Sequence, residues 1–198
     1  MDGEIRRVLL SEPLVGCLQA LLKKADPAVG AEAKALLADM GRQALLPLTA
    51  ALPGLDPAGQ EQVASVLGEI PYRTSLAALY DLAKSTKVDA VRTACERAIA
   101  KIDGAYNPQR SVGDQYFELA DGYYGGSSTL LSFPGEEFQL LWSYAPGTGL
   151  TPLPLKTAVF HEAMAMRLAE QGLRSEPGNQ ALLALWLSAN FRREVDSP

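Results

Sequence analysis

The sequence repeats itself between residues 27–52, PAVGAEAKALLADMGRQALLPLTAAL, and residues 57–82, PAGQEQVASVLGEIPYRTSLAALYDL. Aligned with a shift of 30 residues, proline meets proline at the first position and leucine meets leucine at the last. A third copy begins at Val88, after a further shift of 32 residues. Self-similarity at such a period predicts stacked helical units, each too small to bury its own apolar face.

Each copy reads as two helices separated by a break. Proline is tolerated at the first helical position, where the missing N–H has no intrahelical partner. Asp26 and Asp56 precede those prolines and are predicted to cap the free N–H groups. Gly41 and Pro71 mark the break between the two helices. In the first helix, the apolar residues at helical spacing are Val29, Ala33, Leu36, Leu37 and Met40.

The repeated stretch resembles the HEAT family of helical repeats, in a short form similar to that of phycobilisome lyases. The resemblance rests on the opening DPAV at residues 26–29, the alternating alanine and leucine of the first helix, and DAVRTAC at residues 89–95. The family's usual arginine stands only at Arg92, with Gly30 and Gln60 at the equivalent positions. The resemblance covers about the first hundred residues. It implies a mainly α fold with a right-handed α–α superhelix.

The chain before the first full copy predicts a helix from Leu14 to Lys24. Shifted by 30 residues, this helix matches the second helix of the next unit, so the chain opens inside a repeat. The segment shows no polar face typical of a capping repeat. We therefore expect the chain to be a piece of a longer protein.

Composition disfavours several classes of partner. The chain has 18 basic and 23 acidic residues, a net charge of −5, and no block of like charge. Neither a polyanion nor a membrane surface is therefore a predicted partner. No apolar run approaches the about 18 residues of a membrane span, and the first residues lack the apolar stretch that is typical of a signal peptide. No targeting signal identifies the compartment, although the cytoplasm is slightly favoured.

Cys17 and Cys95 are the two cysteines, each on an apolar helix face. Free cysteine packs as a small apolar residue, so we predict two buried thiols. A disulfide or a redox pair is the alternative.

We divide the chain into HEAT-like repeats at 1–103, an aromatic-rich connecting segment at 104–156 and a helical pair at 157–198. The connecting segment predicts a short helix over 114–124. Two strands follow over 138–144 and 150–155, where aromatic residues and flanking turns favour a small β-hairpin. Two prolines confine the second strand to a sheet edge.

The closing helical pair covers residues 157–174 and 180–193, with Thr157 as the predicted cap of its first helix. It resembles the join between two tetratricopeptide repeats. Ala165 and Gly172 stand at that family's small positions, where helices approach closely, and a proline stops the first helix. Leu187 departs from the pattern, because a small residue is expected near it.

No catalytic constellation is present in the sequence. His161 is the only histidine and precedes Glu162, but a zinc-protease motif needs a second histidine where Ala165 stands. The glycine-rich stretch 125–128 is predicted to be a plain loop, and the pair Glu136-Glu137 a solvated surface. We therefore predict no enzyme activity, no cofactor and no metal.

The leading functional hypothesis is a non-catalytic scaffold that binds a protein or peptide. Second helices usually line the concave face in proteins that resemble this family. The aromatic segment offers a second binding surface. The alternative is that its aromatic residues form a small core. The candidate partner-binding residues are Tyr72, Arg73, Tyr80, Lys84, Trp142 and Tyr144.

Two alternatives stay open. One is an enzyme or enzyme accessory similar to HEAT-like bilin lyases. The other is nucleic-acid binding, as in HEAT-like DNA glycosylases, which the acidic net charge disfavours. It would require one basic face built from Arg42, Arg73, Arg92, Arg97 and Lys101.

Overall fold

The computed structural model describes residues 2–22 and 27–196. Asp26, the cap predicted for the first repeat helix, lies outside these residues. The described chain is mainly helical and carries a two-stranded sheet, as the sequence predicted.

The chain divides into two compact units. The first unit comprises the described residues of 1–106 together with 142–153. The second comprises those of 107–141 together with 154–198.

The first unit contains the helices of the repeats. Gly41 lies between the two helices of the first repeat. Its backbone φ of 54° is a left-handed value that favours glycine, and it ends the first of these helices. Asp56 caps the second pair as predicted, since its Oδ1 accepts from the Gly59 N–H at 2.8 Å. The predicted helix pairs are thus confirmed. Their bounds are α1 Asp2–Leu22, α2 Pro27–Asp39, α3 Arg42–Ala51, α4 Pro57–Leu67, α5 Leu76–Ser85 and α6 Asp89–Asp103.

The prediction that the first helix begins at Leu14 was wrong. Helix α1 continues through Pro13, which lies inside it. Proline removes one hydrogen bond from a helix interior, but its ring holds φ at a helical value. The buried face of α1 includes Leu14, Leu18 and Leu21, as its apolar spacing predicted.

The apolar stripe of α2 is narrower than its sequence predicts. Ala33 and Leu37 are buried, whereas Val29 and Leu36 are each 47% exposed. In α4 the equivalent stripe is fully buried. The difference follows from packing, because α4 contacts α1, α2, α3 and α6, whereas α2 packs mainly against α1 and α4.

The second unit is built around three helices. Helix α7 spans Val112–Tyr124, α8 spans Thr157–Ser175 and α9 spans Gln180–Asp196, and each packs against the other two. Helix α7 begins two residues before its predicted start, because the Ser111 hydroxyl accepts from the Asp114 N–H at 3.0 Å and caps it.

The predicted hairpin is present, with strand β1 at Phe138–Ala145 and strand β2 at Gly149–Lys156. Gly149 has a φ of 74° and closes the turn, where a left-handed residue is typical after a three-residue loop. Pro152 and Pro154 are tolerated in β2, since either strand of a two-stranded sheet is an edge. The outer part of the hairpin belongs to the first unit and its base to the second.

Thr157 does not cap α8, contrary to the prediction. Strand β2 continues to Lys156, which takes the cap position without a side-chain hydrogen bond. Thr157 therefore follows the cap position by one residue. Its hydroxyl donates instead to the Glu136 carbonyl at 2.6 Å. The Gln139 amide donates to the same hydroxyl at 3.3 Å.

Candidate functional site

The predicted residues Tyr72 and Arg73 lie in the turn between α4 and α5. Tyr72 is half-buried, and the Arg73 side chain is 55% exposed. Together with Arg42 and Asp103 they form what we call the turn edge, where the repeat helices of the first unit begin or end.

The turn edge is ordered by contacts between equivalent positions of neighbouring repeats. Arg42 opens α3, and its guanidinium carbon lies 5.2 Å from the centre of the Tyr72 ring. This distance is typical of a cation–π interaction, which holds the ring in one orientation. Arg73 forms an ion pair with Asp103, 30 residues further along the chain. The repeat period thus brings these side chains together in pairs.

A second ion pair lies beside the ends of the same helices. The Lys101 ammonium donates to Glu69 Oε1 at 2.6 Å, again joining neighbouring repeats. The hydrogen bond from Lys101 lowers the pKa of the Glu69 carboxyl below its usual range. Both signs of charge are therefore present along this edge.

Tyr80 is a core residue, which corrects its prediction as a surface residue. Its side chain is fully buried, and its ring stacks on Tyr106 with centroids 5.4 Å apart. Tyr80 follows Leu76 by four residues and precedes Ala83 by three, so it lies on the buried face of α5. That spacing was visible in the sequence and predicts burial.

Lys84 is exposed but lies apart from the turn edge. It stands in the last turn of α5, whereas Arg73 precedes the first turn. Ten helical residues span about 15 Å, so the two side chains lie at opposite ends of this helix. The four repeat candidates therefore do not form one cluster.

The aromatic residues of the predicted connecting segment are divided between the two units. Trp142 is 3% exposed and belongs to the first unit, so it is buried rather than available at a surface, which corrects its prediction. Tyr144 is half-buried and lies against Gly54, where an added Cβ would stand 2.7 Å from its ring. Tyr116 and Tyr123 are buried in the second unit.

Carboxylates pair with three members of the basic face that nucleic-acid binding would require. Arg73 and Lys101 form the ion pairs described above, and Arg92 pairs with Asp89 at 2.7 Å. Arg42 faces the Tyr72 ring. These pairs reduce the positive charge that the face could present to phosphates.

The second unit contains a buried ion pair that was not predicted. Glu162 is 2% exposed, and its Oε1 lies 3.3 Å from Nε of Arg192. Arg192 also donates to the Tyr124 carbonyl at 2.9 Å and lies 5.2 Å above the Tyr124 ring. Glu162 precedes Ala165 and Ala169 at helical spacing, so its inward position could have been found from the apolar periodicity.

Among the residues that the structure describes, Oε2 of Glu162 and Nδ1 of the neighbouring His161 are buried and have no hydrogen-bond partner. Burial lowers the pKa of the His161 imidazole, and the Glu162 carboxylate and a Tyr123 backbone hydrogen bond offset part of this effect. The His161 ring centre lies 6.1 Å from that of Tyr123.

Metal ligands, thiols and membrane-spanning helices are considered next. Among residues 2–22 and 27–196, no three His, Cys, Asp or Glu side chains are grouped so that they could hold a metal ion. Cys17 and Cys95 are free thiols, and burial raises the pKa of Cys95 to about 12. None of the helices in the described part of the chain is long and apolar enough to cross a membrane.

Comparison with known proteins identifies the repeats. The family model for HEAT repeats matches residues 14–104, which covers α2 to α6 and most of the repeat region. No curated protein and no solved structure matches the chain. Residues 14–104 are thus similar to HEAT repeats, and this part of the chain is a series of repeated helices.

Proposed function

We propose that this protein is an interaction module whose repeats bind a protein or peptide partner. The observation that carries the proposal is the match of residues 14–104 to HEAT repeats, which generally mediate protein interaction or scaffolding. The family is typically non-catalytic. An accessory role of the bilin-lyase type rests only on the resemblance of the short repeats.

The turn edge is the surface that we propose for the partner. Tyrosine and arginine are, with tryptophan, the residue types enriched at energetically important interface positions. The Tyr72 ring is held by Arg42, so little side-chain entropy remains to be lost on binding. The surrounding ion pairs supply a polar rim of both charges. This arrangement fits a peptide with an apolar side chain for Tyr72 and a carboxylate for Arg42.

A pull-down with the purified chain as bait, read by mass spectrometry at low and moderate salt, tests the proposal. We expect a protein partner that survives moderate salt. Tyr72→Ala and Arg42→Ala should each reduce its recovery about tenfold or more, as expected for central interface residues. Arg97→Ala is the matched control, because it removes an exposed positive charge on α6 outside the turn edge.

Two results would contradict this proposal. If Arg97→Ala reduced recovery as much as Arg42→Ala, the effect would be one of net charge and not of the turn edge. If nucleic acid or a small molecule co-purified and no protein was retained, the interaction-module function would be wrong.

We also propose that α8 and α9 form a tetratricopeptide-like helical pair. Ala165 and Gly172, at the predicted small positions, are buried. A Cβ added at Gly172 would stand 2.6 Å from Leu182 on α9 and 2.8 Å from Tyr116 on α7. This close approach on two sides supports the role that the resemblance gives to a small residue there.

A further inference from the structure

The sequence places an aspartate directly before a glycine at residues 103–104 and again at residues 121–122. An aspartyl side chain in this position can react with the backbone nitrogen of the glycine, because glycine has no side chain to hinder the approach. The reaction requires that this nitrogen gives up its hydrogen bond and that the carboxylate turns towards it. Since the local sequence is the same, the folded structure decides which of the two pairs reacts.

The pair 103–104 lies at the end of helix α6. Asp103 is the last residue of the helix, and Gly104 leaves it with a φ of 85°, a left-handed value. Gly104 and the following Ala105 are exposed. The Gly104 N–H donates to the Ala100 carbonyl at 3.0 Å, within the last turn. Helix ends open more readily than helix interiors, so fraying of this turn releases the Gly104 nitrogen.

The pair 121–122 is held inside helix α7, which extends two residues beyond it. Tyr123 follows the pair directly, is fully buried, and donates its hydroxyl to the Leu130 carbonyl at 3.0 Å. The Gly122 carbonyl accepts from the Ser127 N–H at 3.1 Å. Opening this turn would expose the Tyr123 ring to water, which is costly. The same two-residue sequence is therefore protected here.

We infer that Asp103 is a site of spontaneous isomerisation to isoaspartate, and that its ion pair with Arg73 restrains the reaction. The Arg73 guanidinium binds Oδ1 of Asp103. A carboxylate held on this guanidinium is not turned towards the Gly104 nitrogen. The ion pair therefore has to open before the ring-closing step can occur. The site belongs to the turn edge, but its chemistry does not depend on the partner proposed above.

The reaction has two steps and consumes neither an oxidant nor a cofactor. The Gly104 nitrogen bonds to Cγ of Asp103, and one carboxyl oxygen leaves as water with the amide proton and a proton from solvent. Water then opens the resulting succinimide ring. Cleavage between nitrogen and Cγ restores aspartate, whereas cleavage between nitrogen and the main-chain carbonyl carbon leaves isoaspartate. The new carboxylate is attached directly to Cα, so it is one carbon shorter and is withdrawn from Arg73.

Incubation of the purified chain for several weeks at physiological pH and temperature tests the inference. Peptide mapping and methylation by a protein isoaspartyl methyltransferase measure isoaspartate at each position. In the folded chain we expect it at residue 103 and not at residue 121. In guanidinium chloride, which removes the structure, we expect it at both.

Two matched variants test the role of the ion pair. Arg73→Ala should accelerate the reaction at residue 103 about two- to fivefold, the factor by which an exposed ion pair shifts an equilibrium. Arg97→Ala is the control, because it removes an exposed positive charge from α6 and leaves the ion pair of Asp103 in place. Circular dichroism checks that both variants are folded.

A second pair of variants tests whether the backbone permits ring closure. Asparagine closes the same ring faster and releases ammonia, which mass spectrometry detects. Folded Asp103→Asn should therefore deamidate faster than folded Asp121→Asn, and the two should react at similar rates when unfolded. Equal rates at the two positions in the folded chain would overturn the inference. So would the absence of any reaction at residue 103, or an Arg73→Ala chain that isomerises no faster than Arg97→Ala.

Discussion

Glu162 is a carboxylate that the second unit buries, and among the described residues it forms an ion pair with Arg192. Burial of a charge is costly unless a partner compensates it. Arg192 does so although about half of its side chain is exposed, and it also contacts Tyr124. The pair therefore fastens α9 to α8 and to the end of α7.

Removing Arg192 should destabilise the second unit. We expect Arg192→Leu to cost about 1–3 kcal/mol of unfolding free energy, since it leaves the Glu162 carboxylate buried and uncompensated. Urea unfolding followed by Trp186 fluorescence, in a Trp142→Phe background, measures this in the second unit. Adding Glu162→Gln should recover part of the loss, because the remaining group is neutral. A double variant no more stable than Arg192→Leu would contradict the role of the buried charge.

Burial of His161 should make the stability of the second unit depend on pH. Because the folded-state pKa lies below the unfolded value of about 6.5, the unfolded chain binds the proton more readily. The contribution is fully present above about pH 6.5 and is lost as the pH falls towards the folded-state pKa.

Urea unfolding at about pH 7.5 and pH 5.5, read by Trp186 fluorescence, tests this prediction. We expect the native chain to lose more stability between the two values than His161→Gln, which carries no titrating group at this position. Equal losses in both proteins would show that other groups cause the pH dependence.

At the scale of the elements, two glycines set how closely helices approach. Gly68 ends α4, and an added Cβ there would stand 2.9 Å from the Ala98 backbone on α6. Gly172 has the same role between α8 and its two neighbours. Gly30, within α2, has open space where a Cβ would be added.

These three glycines should therefore respond differently to the same change. We expect Gly68→Ala and Gly172→Ala to destabilise their units by about 1–3 kcal/mol, because the helices must move apart. Gly30→Ala should stabilise the first unit by up to about 1 kcal/mol, since alanine is the better helix former. Trp142 reports on the first unit in a Trp186→Phe background. Destabilisation by Gly30→Ala would contradict this account.

At the scale of the whole molecule, helices and strands were predictable because their signals are local. The 30-residue period, the prolines at helix starts and Gly41 at the break placed α2 to α6 correctly. The hairpin followed from an aromatic run bounded by turns. Local signals gave a wrong prediction where two elements adjoin. Thr157 was predicted as the cap of α8, but the position of this cap depends on where β2 ends.

The candidate site was less predictable, because exposure depends on packing. Tyr72 and Tyr80 are the same residue type eight positions apart, yet one is half-exposed and the other fully buried. Apolar spacing in α5 predicts the burial of Tyr80. The spacing within a single helix does not predict that Arg42 meets Tyr72, because that contact joins residues of different repeats.

The sequence by itself determined that this is a helical-repeat protein, because the repeat period and the apolar spacing can be read along the chain without knowing which elements meet. Tertiary structure alone decided which apolar faces are covered. Val66 is buried, whereas its repeat equivalent Leu36 is exposed, because their helices have different neighbours. It likewise left Leu187 and Phe191 of α9 exposed and placed Glu162 against Arg192. Burial depends on which elements meet, and that is a property of the assembled chain.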